Sequence, residues 1–132
     1  MGRNYLVVDD DQAVGLFLTT ILADRGECKR ANNAHEAMEV FGQALSVQPF
    51  DAVFMDIMLP DLDGHQIVEL MRDMERRAGV PEKKAFALIM ITALDDADNV
   101  SRAYYKNQAS GYLVKPFTQD RVLEELRRAG LA

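Results

Sequence analysis

Four short runs of this chain are apolar on both faces: YLVV (5–8), AVFM (52–55), FALIMI (86–91) and YLV (112–114). None alternates with polar residues, so neither side of any run suits contact with water. Such runs fit strands buried on both sides, as in a parallel sheet covered by helices. The stretches between them carry the helical period. Val14, Phe17, Leu18, Ile21 and Leu22 make one apolar face, and Gly26 follows as a stop signal. Ala37, Val40, Phe41 and Leu45 make a second face before Pro49, and Ile67, Leu70, Met71 and Met74 a third that ends near Gly79. Val100, Ala103 and Tyr104 mark a fourth, and Val122, Leu123 and Leu126 a fifth at the C-terminal end. One more strand is needed between the first two helices. ECKRA (27–31) is the only space for it, and its polarity makes it an edge strand. Strand and helix therefore alternate along the chain, which implies an α/β, doubly wound, five-stranded parallel sheet with five helices. AGVPEKKA (78–85) reads as an exposed connection, not a domain boundary.

Size and charge narrow the function classes. The 132 residues suit one domain, 1–132. The net charge of −6 gives no pull toward a nucleic-acid backbone or an anionic membrane, so neither is expected as a direct partner. No apolar run approaches the roughly 20 residues of a membrane span. The opening MGRNYLVVDD lacks a signal-peptide pattern. Cys28 is the single cysteine, so no intrachain disulfide can form and a reducing, cytoplasmic setting is expected.

The polar residues at the strand ends carry the chemistry. YLVV ends in Asp9, Asp10 and Asp11, AVFM in Asp56, FALIMI in Thr92, and YLV in Lys115 followed by Pro116. In a parallel sheet these ends share one edge, where ligands of open α/β sheets bind. Packed together, Asp9, Asp10 and Asp56 repel one another unless a cation sits among them. Oxygen donors of this kind suit Mg²⁺. A carboxylate beside Mg²⁺ can attack phosphorus to give an aspartyl phosphate. Lys115 and Thr92 can supply the cation and the hydroxyl that the added charge needs.

These segments resemble the response-regulator receiver domain over Tyr5 to about Arg127. VVDDD (7–11) looks like that family's acidic pair, FMDIMLPDLDG (54–64) its phosphoacceptor segment, MITA (90–93) its switch element and GYLVKPF (111–117) its Lys-Pro element. The resemblance implies the flavodoxin-like strand order 2-1-3-4-5. It implies Asp56 as phosphoryl acceptor, with Mg²⁺ held by Asp9, Asp10, Asp56 and the backbone carbonyl of Met58, Asp10 more directly than Asp9. Thr92 and Lys115 would bond phosphoryl oxygens, Tyr112 would swing inward once Thr92 moves, and the peptide before Pro116 would be cis. The implied function is a phosphorelay switch fed by a sensor histidine kinase or a histidine phosphotransfer domain. It would catalyse only its own phosphorylation and slow autodephosphorylation. Its output face would join the fourth helical stretch, the last strand and the C-terminal helix, and act on a downstream protein or a fused output domain. A monomer or a weak, phosphorylation-dependent dimer is implied as well. The chain departs from the family at Met58 and Leu94, positions that often carry polar groups, and at KNQASG (106–111). Bulky apolar groups at the first two should hinder the water that attacks an acyl phosphate.

Other residues have plainer readings. Asp11 reads as a cap of the first helix, and Asp61, Asp63 and Gly64 as a turn in which Asp63 caps the third, with no catalytic role. His35 and His65 read as surface helix positions, and Cys28 as a half-buried small residue. The methionines at 55, 58, 71, 74 and 90 mostly read as core, and LDDAD (94–98) as a solvated helix start. Tyr104 and Tyr105 suit either packing or a partner-docking face. A haloacid-dehalogenase-type phosphatase would need a second Asp where Met58 stands. A receiver-like module without the chemistry would not need all five key residues. A nucleotide-binding protein would show a glycine-rich phosphate loop, and none is present.

Overall fold

Alternate residues of each interior strand go to opposite cores, which is why those strands read as apolar on both faces. The computed structural model describes residues 2–93 and 109–131. Its strands are β1 (Arg3–Val8), β2 (Gly26–Ala31), β3 (Ala52–Asp56), β4 (Ala87–Thr92) and β5 (Gly111–Val114). They form one parallel sheet in the order β2-β1-β3-β4-β5. Four α-helices lie among the described residues: α1 (Gln12–Leu22), α2 (Ala34–Leu45), α3 (Gly64–Arg77) and α4 (Gln119–Arg128). The helix expected around Val100–Tyr104 lies outside them, as do Leu94, Tyr105 and the acidic run 94–98.

On one face of the sheet, Leu6, Val8, Val53, Met55, Leu88 and Met90 pack with α2 and α3 through Ala37, Phe41, Ile67 and Met71. On the other, Tyr5, Val7, Phe54, Ile89 and Ile91 pack with α1 and α4 through Leu18, Leu22, Val122 and Leu126. The sheet is thus wound on both sides. β2 pairs only with β1 and alternates half-buried with exposed residues, as its polar sequence implies for an edge. Residues 78–85 form a largely exposed connection with one 3-10 turn at Glu82–Lys84.

Packing departs from residue type at several places. His65 is fully buried, against the surface position expected of it. It precedes Val68 by three residues, on the stripe of α3 that also buries Ile67, Met71 and Glu75. Phe17 and Leu70, read as core-facing, are 40% and 46% exposed, and Met58 is 74% exposed. Glu75 is buried because it has partners. Its Oε1 lies 3.1 Å from Arg72 Nη1, and its Oε2 accepts the Phe86 N–H at 2.9 Å. Arg72 also donates to the Phe86 carbonyl at 2.8 Å and lies 3.8 Å over the Phe86 ring. This clamp ties α3 to the chain entering β4.

Candidate functional site

The carboxyl ends of β1, β3, β4 and β5 meet at one edge, and backbone bonds set their spacing. The Ile57 N–H donates to the Ile91 carbonyl at 3.0 Å, and the Lys115 N–H to the Thr92 carbonyl at 2.7 Å. Asp56, Thr92 and Lys115 are therefore placed by main chain just where their strands end. The peptide between Lys115 and Pro116 is cis.

Asp9 is 1% and Asp56 4% exposed, whereas Asp10 is exposed. Each of the three offers a carboxylate oxygen, and these atoms lie within 4.8 Å of one another. Lys115 Nζ stands 3.1 Å from Asp9 Oδ2 and 3.5 Å from Asp56 Oδ2, bridging the two buried acids. Asp9 Oδ1 accepts the Asp11 N–H at 2.9 Å, and Asp56 Oδ1 accepts the Met58 N–H at 3.0 Å. Three carboxylates against one ammonium leave local negative charge uncompensated. Burial, reinforced by the neighbouring Asp9 charge, pushes the Asp56 carboxyl up to about 6, against the Met58 N–H and the Lys115 charge, which pull it down. Lys115 is held above its ordinary value. Burial lowers it, and its bond to Asp9 together with the charges of Asp56 and Asp9 outweighs that.

This donor set fits a hard divalent cation. All the side-chain donors are oxygens, and Asp9 Oδ2 is buried with the Lys115 ammonium 3.1 Å away. Mg²⁺ is usually held through one or two carboxylates, with waters and a phosphoryl oxygen completing its shell, and Asp10 is the exposed member of the three. Thr92, at the end of β4, is 5% exposed, and Tyr112 on β5 is half-buried. Gly64 is required close by, because a Cβ there would come within 2.4 Å of the Asp56 carbonyl oxygen.

The flanking acids divide their work as capping groups. Asp11 caps α1, accepting the Ala13 N–H at 2.9 Å. Asp63 caps α3 in a reciprocal capping box with Gln66. Asp61 does more than shape a turn: it accepts the Ala34 and His35 N–H groups at 2.8 and 3.1 Å, at the start of α2. Sequence reasoning missed that role. The bare first-turn donors of α2 were its only signal. His35 is exposed beside Glu39, and Cys28 is half-buried, with burial pushing its thiol up to about 11.

Comparison with known proteins shows the family and the fold. The family model described as the response regulator receiver domain matches residues 5–127. The transcriptional regulatory protein GltR of Pseudomonas aeruginosa is 34% identical over 127 residues, covering 96% of this chain and 48% of GltR. The sensor histidine kinase GacS of Pseudomonas protegens is 33% identical over 130 residues, covering 96% of this chain and 13% of GacS. The chain thus spans half or less of the length of these relatives. Among solved structures, the chemotaxis protein CheY4 of Vibrio cholerae superposes with a TM-score of 0.80 at 24% identity, covering 98% of this chain and 99% of that one. A beryllofluoride-activated DrrB receiver domain superposes at 0.78 with 23% identity, covering 98% and 97%. The likeness to both structures is one of fold. Among the described residues no helix is long and apolar enough to cross a membrane.

Proposed function

The chain belongs to the response regulator receiver domain family, and we propose that it works there as a phosphorylation-controlled switch with Asp56 as the acceptor. The observation that carries this reading is the bridge of Lys115 Nζ between Asp9 and Asp56, with Asp10 completing a cluster of three carboxylates. A lysine so placed can follow the charge when it moves from the carboxylate to a phosphoryl group.

In the proposed reaction an Asp56 carboxylate oxygen attacks the phosphorus of a phosphohistidine. The O–P bond forms, the P–N bond breaks and the imidazole leaves. The donor is a sensor histidine kinase or a histidine phosphotransfer domain. Mg²⁺, when bound by Asp9, Asp10, Asp56 and the Met58 carbonyl, supplies charge stabilisation for the transferring group. Asp56 must be ionised to attack, and both a cation in the cluster and Lys115 favour that state. Lys115 and the Thr92 hydroxyl then bond the new phosphoryl oxygens. Water attacking the phosphorus later breaks the Asp56 O–P bond, releases inorganic phosphate and restores the carboxylate, which is the slow reset. Phosphorylation biases an existing equilibrium of Thr92 and Tyr112, and so an output face that includes β5 and α4. That face serves a downstream protein or an output domain, as a monomer or a weak dimer. Residues 1–132 act as the receiver unit.

Beryllofluoride, an acyl-phosphate mimic, gives the test. Added with Mg²⁺, it should shift the amide NMR signals of Asp10, Met58, Thr92 and Lys115 in the native protein and leave them in place in Asp56→Asn. Equal shifts in both proteins, or none in either, would refute the assignment of Asp56.

A further inference from the structure

We propose that Asp61 is a positioning residue for the metal site: by capping α2 across the domain, it holds the loop that carries the Met58 carbonyl. The inference rests on the reading of the Asp9, Asp10 and Asp56 cluster as a Mg²⁺ site.

The loop between β3 and α3 is pinned at its ends. The Gly64 N–H donates to the Ile57 carbonyl at 2.9 Å, Met58 bridges to Asp63 in antiparallel fashion, and the Met58 N–H donates to Asp56 Oδ1. Its tip, from Leu59 to Leu62, is held otherwise. Leu59 packs on the core beneath α2 and α3, and Asp61 supplies the polar anchor. Both carboxylate oxygens of Asp61 are engaged. Oδ1 accepts from the Ala34 and Leu62 N–H groups at 2.8 and 3.1 Å, and Oδ2 from the His35 N–H at 3.1 Å.

Helix α2 has its own cap. Asn33 Oδ1 accepts the Glu36 N–H at 2.8 Å, and Glu36 Oε1 accepts the Asn32 N–H at 3.0 Å. It is also fixed by Ala34, Ala37, Phe41 and Ala44 in the core. Of the two first-turn donors that Asp61 takes up, the His35 N–H is exposed and could otherwise be satisfied by water, whereas the Ala34 N–H is part-buried. Of the two partners, then, α2 is the fixed one and the loop is the one being held. Between Asp61 and the Met58–Leu59 peptide stands Pro60, whose ring fixes φ. A tether at residue 61 therefore restrains the peptide that bears the Met58 carbonyl. Releasing it should loosen one metal ligand while leaving Asp9, Asp10, Asp56 and Lys115 in place.

The experiment compares the native protein with Asp61→Ala, Asp61→Asn and Asn33→Ala. Mg²⁺ affinity is read by titration against the amide signals of Asp10 and Met58. Phosphorylation by acetyl phosphate is read at saturating Mg²⁺. Asn33→Ala removes the local cap of α2 without touching the loop, and so controls for helix stability. We expect Asp61→Ala to weaken Mg²⁺ binding about tenfold, the range in which supporting contacts of metal sites act. Asp61→Asn, which keeps one acceptor, should fall between it and the native protein, and Asn33→Ala should stay within about twofold of native. At saturating Mg²⁺ the rate should recover in Asp61→Ala, since only the affinity is affected. If Asp61→Ala does not fold, the Asp61→Asn shift decides alone. Unchanged affinity in both Asp61 variants, or an equal loss in Asn33→Ala, would overturn the inference and leave the proposed function standing. A native protein that neither binds Mg²⁺ nor forms a phosphoryl adduct would overturn both.

Discussion

Asp56 is the residue on which local physics and proposed function press hardest. Its carboxyl is buried beside Asp9 and rises to about 6, whereas an unfolded Asp titrates near 3.9. Between those values the folded state holds more protons than the unfolded one, so stability falls as pH rises from about 4 to 6. In EDTA, Asp56→Asn should therefore be more stable than native at neutral pH. We expect about 1 to 2 kcal/mol, less than the full shift implies, because Asn leaves Lys115 with Asp9 alone. The gain should vanish near pH 4. Urea melts across this range check it, and a gain independent of pH would contradict the account. Met58 is the other informative residue, 74% exposed with its N–H on Asp56. Its thioether side chain offers water no strong hydrogen-bonding group beside the acceptor. Met58→Asn should shorten the lifetime of the phosphorylated form several-fold, followed by loss of the adduct after the donor is removed. An unchanged decay would reject a shielding role for this side chain.

At the scale of elements, the buried Arg72–Glu75 pair joins α3 to the start of β4. Glu75 meets both a guanidinium and a backbone N–H, so its removal takes the partner from the buried Phe86 N–H and the counter-charge from the part-buried Arg72, which keeps its bond to the Phe86 carbonyl. Glu75→Ala should destabilise the protein by about 3 kcal/mol, and Glu75→Gln, which keeps the hydrogen-bonding shape, by about 1 kcal/mol. Chemical denaturation of the two variants checks the order; equal losses would mean that packing, not pairing, holds this corner. Neither variant touches the cluster at the opposite strand ends, so Mg²⁺ affinity should stay near native in both.

Across the whole molecule, what the sequence made legible was whatever depends on period and position. The doubly buried strands showed as short apolar runs, because each alternate side chain needs a core. ECKRA could be placed at an edge because a half-exposed strand can be polar. Asp9, Asp10, Asp56, Thr92 and Lys115 could be gathered because a parallel sheet brings its carboxyl ends together. What stayed illegible depends on partners far along the chain. Glu75 finds the Phe86 N–H 11 residues on, and Asp61 finds Ala34 27 residues back. His65 was misjudged because a polar ring on a buried helix stripe looks, in sequence, like one on an exposed stripe. Phe17 and Leu70 erred the other way, since an apolar face is broader than the contact it makes.

The most direct measurement is the intact mass of the protein after incubation with acetyl phosphate and Mg²⁺, alongside EDTA and Asp56→Asn controls. The account predicts a single phosphoryl adduct that disappears with either control. An adduct that persists in Asp56→Asn, or one that forms equally well in EDTA, would contradict it.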